Sequence, residues 1–163
     1  MDLLGYNMKM LDEANHYAQL HSTCAKVRVG SAIKPDTPDE SLDDLVYGCN
    51  HGVMNCKAHG CRRVRLYGDN SKLHRLPSDC DAIHSEVDAI SHAARLGVNL
   101  NGATIYVTRY PCEACARAIA EAGIKRVVYG RKETLSEYAQ LILDFADVEV
   151  IKVEEWTEED DNA

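Results

Sequence analysis

The apolar positions Leu3, Leu4, Met8, Leu11, Ala14 and Ala18 recur three or four residues apart, which predicts a packing helix from Leu3 to about Ser22. Val27 to Ile33 alternates and is rich in β-branched residues, the pattern of a strand ending before Pro35. Pro35-Asp36-Thr37-Pro38-Asp39-Glu40 reads as a turn-forming loop, and a short strand from about Asp44 to Cys49 would pair back on the first as a hairpin. From Asn50 to Asp81 the periodicity is lost. It returns as a helix from Ile83 to Leu96 ended by Gly97, a strand from Ala103 to Thr108 and a helix from Cys112 to Ala122 closed by Gly123. A strand from Lys125 to Tyr129, a helix from Thr134 to Phe145 and a strand from Val148 to Val153 complete the pattern. Strands separated by helices of this length predict an α/β fold with right-handed crossovers and a largely parallel half-sheet.

A chain of 163 residues with 45% hydrophobic and 27% charged positions has room for one ordinary globular domain and not for two comfortable ones. That domain is expected over residues 1–153, with an irregular insert at about 50–81. No apolar run approaches the roughly 18 residues needed to cross a bilayer, and Met1-Asp2-Leu3-Leu4 lacks a basic secretory start, so a cytoplasmic location without membrane partners is expected. The net charge of -8 is uneven: Glu154 to Ala163 carries six acids and no base, and reads as a disordered acidic tail whose start Trp156 could pin. The nearly neutral body argues against a duplex-binding protein. Between Lys57 and Arg75, by contrast, six bases face one acid. Seven cysteines, an odd number in a chain without export signals, fit metal binding better than a disulfide framework.

The chemistry concentrates in His84-Ser85-Glu86 and Pro111-Cys112-Glu113-Ala114-Cys115. One His and a Cys-x-x-Cys pair give three ligands, the number a catalytic zinc takes when it keeps a fourth position for water. A closed structural zinc would show four ligands and no acid beside them. Glu86, two residues from the histidine, is placed to move protons without binding the metal. If the helices start where predicted, their N-terminal partial charge also favours thiolate at Cys112 and Cys115. His-x-Glu followed by Pro-Cys-x-x-Cys is the known signature of zinc-dependent nucleobase deaminases.

With these residues in hand the chain resembles the cytidine and deoxycytidylate deaminase superfamily, and most closely the deoxycytidylate (dCMP) deaminases. Ser22 to Gly30 resembles the family's segment before its first strand, and Gly48-Cys49-Asn50-His51-Gly52 resembles its Gly-Tyr-Asn-Gly turn. Gly102 to Ala116 and Ala122 to Tyr129 match closely, and Cys115-Ala116-Arg117-Ala118-Ile119 resembles the dCMP branch rather than the cytidine or tRNA-adenosine branches. The resemblance implies a three-layer α/β/α sandwich around a five-stranded mixed sheet, and zinc-dependent hydrolysis of dCMP to dUMP and ammonia. It implies zinc on His84, Cys112 and Cys115, proton shuttling by Glu86, a sugar contact from Asn50, a pyrimidine contact from the backbone of Ser85, and Tyr129 near the nucleotide. It also implies a homo-oligomer, often a hexamer, with dCTP or dTTP as allosteric effectors. Three positions depart from the family pattern: Ser85 where alanine is usual, Asp88 where asparagine is usual, and Cys49 in place of the turn's tyrosine.

Some of the resembled enzymes carry a second, structural zinc, and Cys24, Cys56, His74 and Cys80 fall at comparable places, with Cys49, His51, His59 and Cys61 as competitors. Among the insert's bases, Arg63 and Arg65 are candidate phosphate contacts, since guanidinium suits phosphate. The alternative is a solvated loop. Two other functions compete with dCMP hydrolysis: deamination of another cytosine or adenine nucleotide or of a base in RNA or DNA, and a catalytically idle regulatory module. A single Phe and a single Trp supply little stacking surface for a nucleic-acid strand, and Glu86 has no evident use in an idle module.

Overall fold

A computed structural model describes residues 1–38, 42–68, 80–131 and 136–157. The chain runs α1 (Leu3–His21), β1 (Gly30–Lys34), β2 (Val46–Cys49), β3 (His51–Gly52), α2 (Cys56–His59), α3 (Arg62–Tyr67), β4 (Ala82–Ile83) and α4 (Ser85–Leu96). It continues through β5 (Thr104–Arg109), α5 (Glu113–Glu121), β6 (Arg126–Arg131), α6 (Glu137–Phe145) and β7 (Glu149–Lys152). Five strands form one sheet in the order β2-β1-β5-β6-β7. β1 is antiparallel to both β2 and β5, whereas β5, β6 and β7 are parallel, so the sheet is mixed as expected. β3 and β4 pair separately as a two-residue ribbon.

Successive side chains of a strand point to opposite faces, and here both faces are covered. Ile105, Val107, Val127 and Tyr129 pack with Ala89, Ala93, Ala116, Ile119, Ala139 and Leu143 of α4, α5 and α6. The alternate positions Tyr106 and Val128 pack with Met10 and Leu11 of α1 and with Val153 and Trp156. That gives three layers. Gly48 lets α4 lie directly on β2: a Cβ there would stand 2.3 Å from the Ser85 carbonyl oxygen and 2.4 Å from the Ala89 nitrogen.

The hydrophobic pattern places each main element to within a few residues, and the shifts have local causes. The first strand begins at Gly30 rather than Val27 because the Asn50 side chain replaces the ladder: Val29 N–H donates to its Oδ1 at 2.9 Å, and its Nδ2 donates to Val27 O at 2.8 Å. Ala82 and Ile83 are taken into the ribbon with His51 and Gly52, so α4 starts at Ser85 with His84 as its N-cap. α6 starts at Glu137 because the Ser136 side chain caps it by accepting the Ala139 N–H. Thr134, the expected start, lies outside the described residues. The segment from Asn50 to Asp81 contains two short helices that its sequence did not announce.

Trp156 pins the start of the acidic tail. Its Nε1 donates to Asp12 Oδ1 at 2.8 Å, and its ring lies so close over Gly130 that a Cβ there would be 2.1 Å away. Residues 158–163 lie outside the described residues. Trp156→Ala removes a ring that is only 4% exposed, and is expected to lower the unfolding free energy by about 3 kcal/mol, as measured by urea denaturation. A loss below about 1 kcal/mol would show that the tail is not part of the second core.

Candidate active site

β5 ends at Arg109, and Tyr110-Pro111-Cys112 leads into α5; β4 ends at Ile83 and leads through His84 into α4. His84 and Cys112 are therefore the N-caps of adjacent helices, both extended in backbone, and neither spends its side chain on capping. Cys115 lies one turn into α5. His84 Nδ1 stands 3.4 Å from the sulfur of Cys112 and 3.4 Å from that of Cys115. The three ligand atoms lie within 4.8 Å of one another, the one metal-holding group of its kind among the described residues.

The donor set and spacing fit zinc. A tetrahedral ion with Zn–S near 2.3 Å and Zn–N near 2.05 Å separates sulfur and nitrogen by about 3.5 Å, close to what the cluster already holds. Its electrostatics agree. Hydrogen bonds donated by Cys115 and by His84 hold the Cys112 thiol down to about 3, while the Cys115 thiol is pushed well up, first by its bond to Cys112 and then by burial. The imidazole of His84 is held above its ordinary value, chiefly by its bond to Cys112. A divalent cation bound to the thiolate would displace the shared protons.

Glu86 is 4% exposed on the first turn of α4. Its Oε2 accepts a hydrogen bond from Ser85 Oγ at 3.1 Å, and Ser85 Oγ is 2.7 Å from Ser31 Oγ on β1. Ser31 carries no motif signal, and only its pairing opposite Val107 on β5 brings it under the site. Burial pushes the Glu86 carboxyl up from its ordinary value, with the neighbouring His84 partly opposing it. A carboxylate beside an open three-ligand cluster can hold and release a proton.

The other expected residues distribute as follows. Asn50 is 7% exposed and heavily engaged: besides its bonds to Val27 and Val29, its Oδ1 accepts from Ser22 Oγ at 2.7 Å. Tyr129 is buried on β6 with its ring edge-on to Tyr110 at 4.9 Å. Arg63 on α3 is half-buried, and its charge reaches His84, opposing the imidazole's proton; Arg65 is exposed on the same short helix. Cys56 is buried, and its thiol is pushed up by burial and then by Cys24, Cys61 and Cys80 around it. His74 lies outside the described residues. Cys49 sits elsewhere, against Asp88, with its thiol raised to about 11 by burial.

Asp88 is not an open charge beside the site. It is 4% exposed. Its Oδ2 accepts the Cys49 N–H at 3.0 Å, and its Oδ1 lies 3.0 Å from His51 Nε2 and 3.4 Å from His92 Nε2.

A His/Cys/Cys cluster at two helix starts with a buried carboxylate beside it has the make-up of a zinc-dependent hydrolytic deaminase site. Residues 5–131 match the family described as the cytidine and deoxycytidylate deaminase zinc-binding region, and the chain belongs to that family. It is 31% identical over 154 residues to ComE operon protein 2 of Bacillus subtilis, covering 94% of this chain and 74% of that protein. It is 34% identical over 120 residues to the deoxycytidylate deaminase of Mycobacterium phage D29, covering 71% of this chain and 87% of that one. The crystal structure of dCMP deaminase from the cyanophage S-TIM5 in complex with dCMP and dUMP shares the fold, with a TM-score of 0.68 at 21% identity, over 93% of this chain and 98% of that one. Among the described residues no helix is long and apolar enough to cross a membrane.

The raised carboxyl of Glu86 has a consequence for stability. A carboxyl with a folded-state pKa above its unfolded one contributes stability below the ordinary carboxylate range, and that contribution is lost as pH rises through the folded value. Glu86→Gln is therefore expected to raise the Tm of the zinc-free protein by about 3–5 °C at pH 8, with the gain shrinking toward pH 4. A gain independent of pH would show that the ionised carboxylate is not its source.

Proposed function

We propose that this enzyme hydrolyses dCMP to dUMP and ammonia. The observation that carries the reading is the buried Glu86 carboxylate, on the same helix start as His84 and beside the three-ligand cluster. The substrate is supported by the deoxycytidylate deaminase of phage D29, matched over most of its length.

His84, Cys112 and Cys115 would hold a zinc ion, which would supply a water acidic enough to act as nucleophile at neutral pH. Glu86 would take one proton from the attacking water and hand it to N3 of the cytosine ring as the C4–O bond forms. It then carries the second proton to the exocyclic amine, the C4–N4 bond breaks, and ammonia leaves. One of the water's protons ends on N3 of uracil and the other in ammonia. The backbone at Ser85 holds the pyrimidine edge, Asn50 and Tyr129 lie on the sugar side, and Arg63, whose charge reaches His84, meets the phosphate with Arg65 beyond it. The resemblance to the dCMP deaminases supports a cytoplasmic homo-oligomer, often a hexamer in those enzymes, with dCTP or dTTP as effectors.

The zinc-loaded protein is to be incubated with dCMP, CMP, deoxycytidine, dCTP and a cytosine-containing oligonucleotide, and ammonia measured. Turnover is expected to be fastest on dCMP, and Glu86→Ala is expected to lower kcat by about 10²–10⁴-fold. Turnover of the oligonucleotide alone would assign a different substrate, and none on any of the five would remove the reading.

A second, structural zinc on Cys24, Cys56, His74 and Cys80 would tie the insert to the body. It is supported by the influence of Cys24, Cys61 and Cys80 on the Cys56 thiol, which also makes Cys61 an alternative fourth ligand. Metal analysis after removal of loosely bound ions is expected to give two zinc ions per chain. One per chain would eliminate this site and leave the catalytic one.

A further inference from the structure

We propose that Ser31 and Ser85 form a buried hydroxyl relay that holds Glu86 by Oε2 and leaves Oε1 to carry the reaction's protons. This makes both serines positioning residues. The inference rests on the proton-shuttling role given to Glu86 above.

Hydrogen-bond direction in the relay is forced. Ser85 Oγ donates to Glu86 Oε2 at 3.1 Å, and this bond uses the single hydroxyl proton of Ser85. At the 2.7 Å contact between the two serines, Ser31 must then donate and Ser85 accept. Ser31 and Ser85 are both 0% exposed and Glu86 is 4% exposed, so water does not compete for these groups. A hydrogen bond to a charged acceptor is among the stronger kinds, and each one feeding another polarises it further.

The relay also joins parts that would otherwise be independent. Ser31 belongs to β1, an interior strand paired on both sides by β2 and β5, and Ser85 opens α4. The carboxylate is thus referenced to the rigid sheet and not only to its own helix. A proton carrier must meet a water proton, a ring nitrogen and an amine within a few tenths of an ångström, and a freely rotating carboxylate spends little time in that geometry. Fixing one oxygen reduces the search to the other.

Ser31→Ala, Ser85→Ala and the double variant test the relay with dCMP as substrate. Each single variant is expected to lower kcat about tenfold with KM within twofold, because the orientation matters to the chemical step and not to holding the nucleotide. The double variant is expected to lose no more than Ser85→Ala alone, since the two hydroxyls act in series. Losses that multiply, or kcat within twofold of the parent in both single variants, would overturn the proposal. Crystal structures of the zinc-loaded proteins supply a readout independent of turnover. The parent should show Ser85 Oγ within 3.2 Å of one Glu86 oxygen, and Ser85→Ala should show the carboxylate displaced or in two orientations. A parent with the Ser85 hydroxyl turned away, or an unmoved carboxylate in Ser85→Ala, would also overturn it. If the parent turned over no cytosine nucleotide, the dCMP assignment would fall, while the crystallographic comparison would still decide the relay.

Discussion

The structure depends on bringing two helix N-termini to one point. Neither α4 nor α5 could bind a metal alone: α4 contributes one ligand at its cap, and α5 contributes two a turn apart. The parallel crossover from β5 through α5 to β6 fixes where α5 begins, and the tight seat of α4 on β2 at Gly48 fixes where α4 begins. Each helix start concentrates unsatisfied N–H groups, so an approaching thiolate is stabilised by the same geometry that positions it. The cost is three polar groups crowded together, with a thiol and an imidazole pushed away from their ordinary behaviour. Binding of a divalent ion relieves that crowding, which links the fold to its cofactor.

Around this centre the backbone is irregular, and side chains take over the role of ladders. The stretch from Ser22 to Val29 is neither helix nor strand, yet it is held because one amide, Asn50, bonds Val27, Val29 and Ser22 at once. The turn that carries Asn50 is itself held from the other side by Asp88, through the Cys49 N–H and His51. An exposed carboxylate in that place would repel a nucleotide phosphate. One that is buried with two hydrogen-bond partners, the Cys49 N–H and His51, and with His92 beside it is instead a fastening.

The hydrophobic pattern was enough for the sheet and its four long helices because both faces of the strands are buried and the apolar periods are strict. Ile105, Val107, Val127 and Val128 read as strands wherever they are looked at, and the metal cluster was legible because its residue types and spacing allow few other uses. The short helices between Asn55 and Gly68 were not legible: they carry one buried residue, Cys56, and no periodic apolar face. The late start of the first strand was hidden for another reason. It depends on a side-chain amide twenty residues away, and no local propensity records such a bond. Ser31 was missed in the same way, since its role exists only through a contact 54 residues along the chain.

Two of the positions at which this chain departs from its family, Ser85 and Asp88, stand three residues apart on the first turn of one helix. Both side chains reach across the same interface. Ser85 meets Ser31 on β1, and Asp88 meets the backbone of Cys49 at the end of β2. Alanine and asparagine at these places would leave α4 resting on the sheet by apolar contact and one amide. Here the helix start is sewn to two strands by groups that must all be satisfied together, because none has access to water. The two side chains are therefore coupled through the strands they meet. The first turn of α4 carries His84 at its cap and Glu86 between the two fastened residues, so whatever fixes that turn fixes the metal ligand and the carboxylate in one operation.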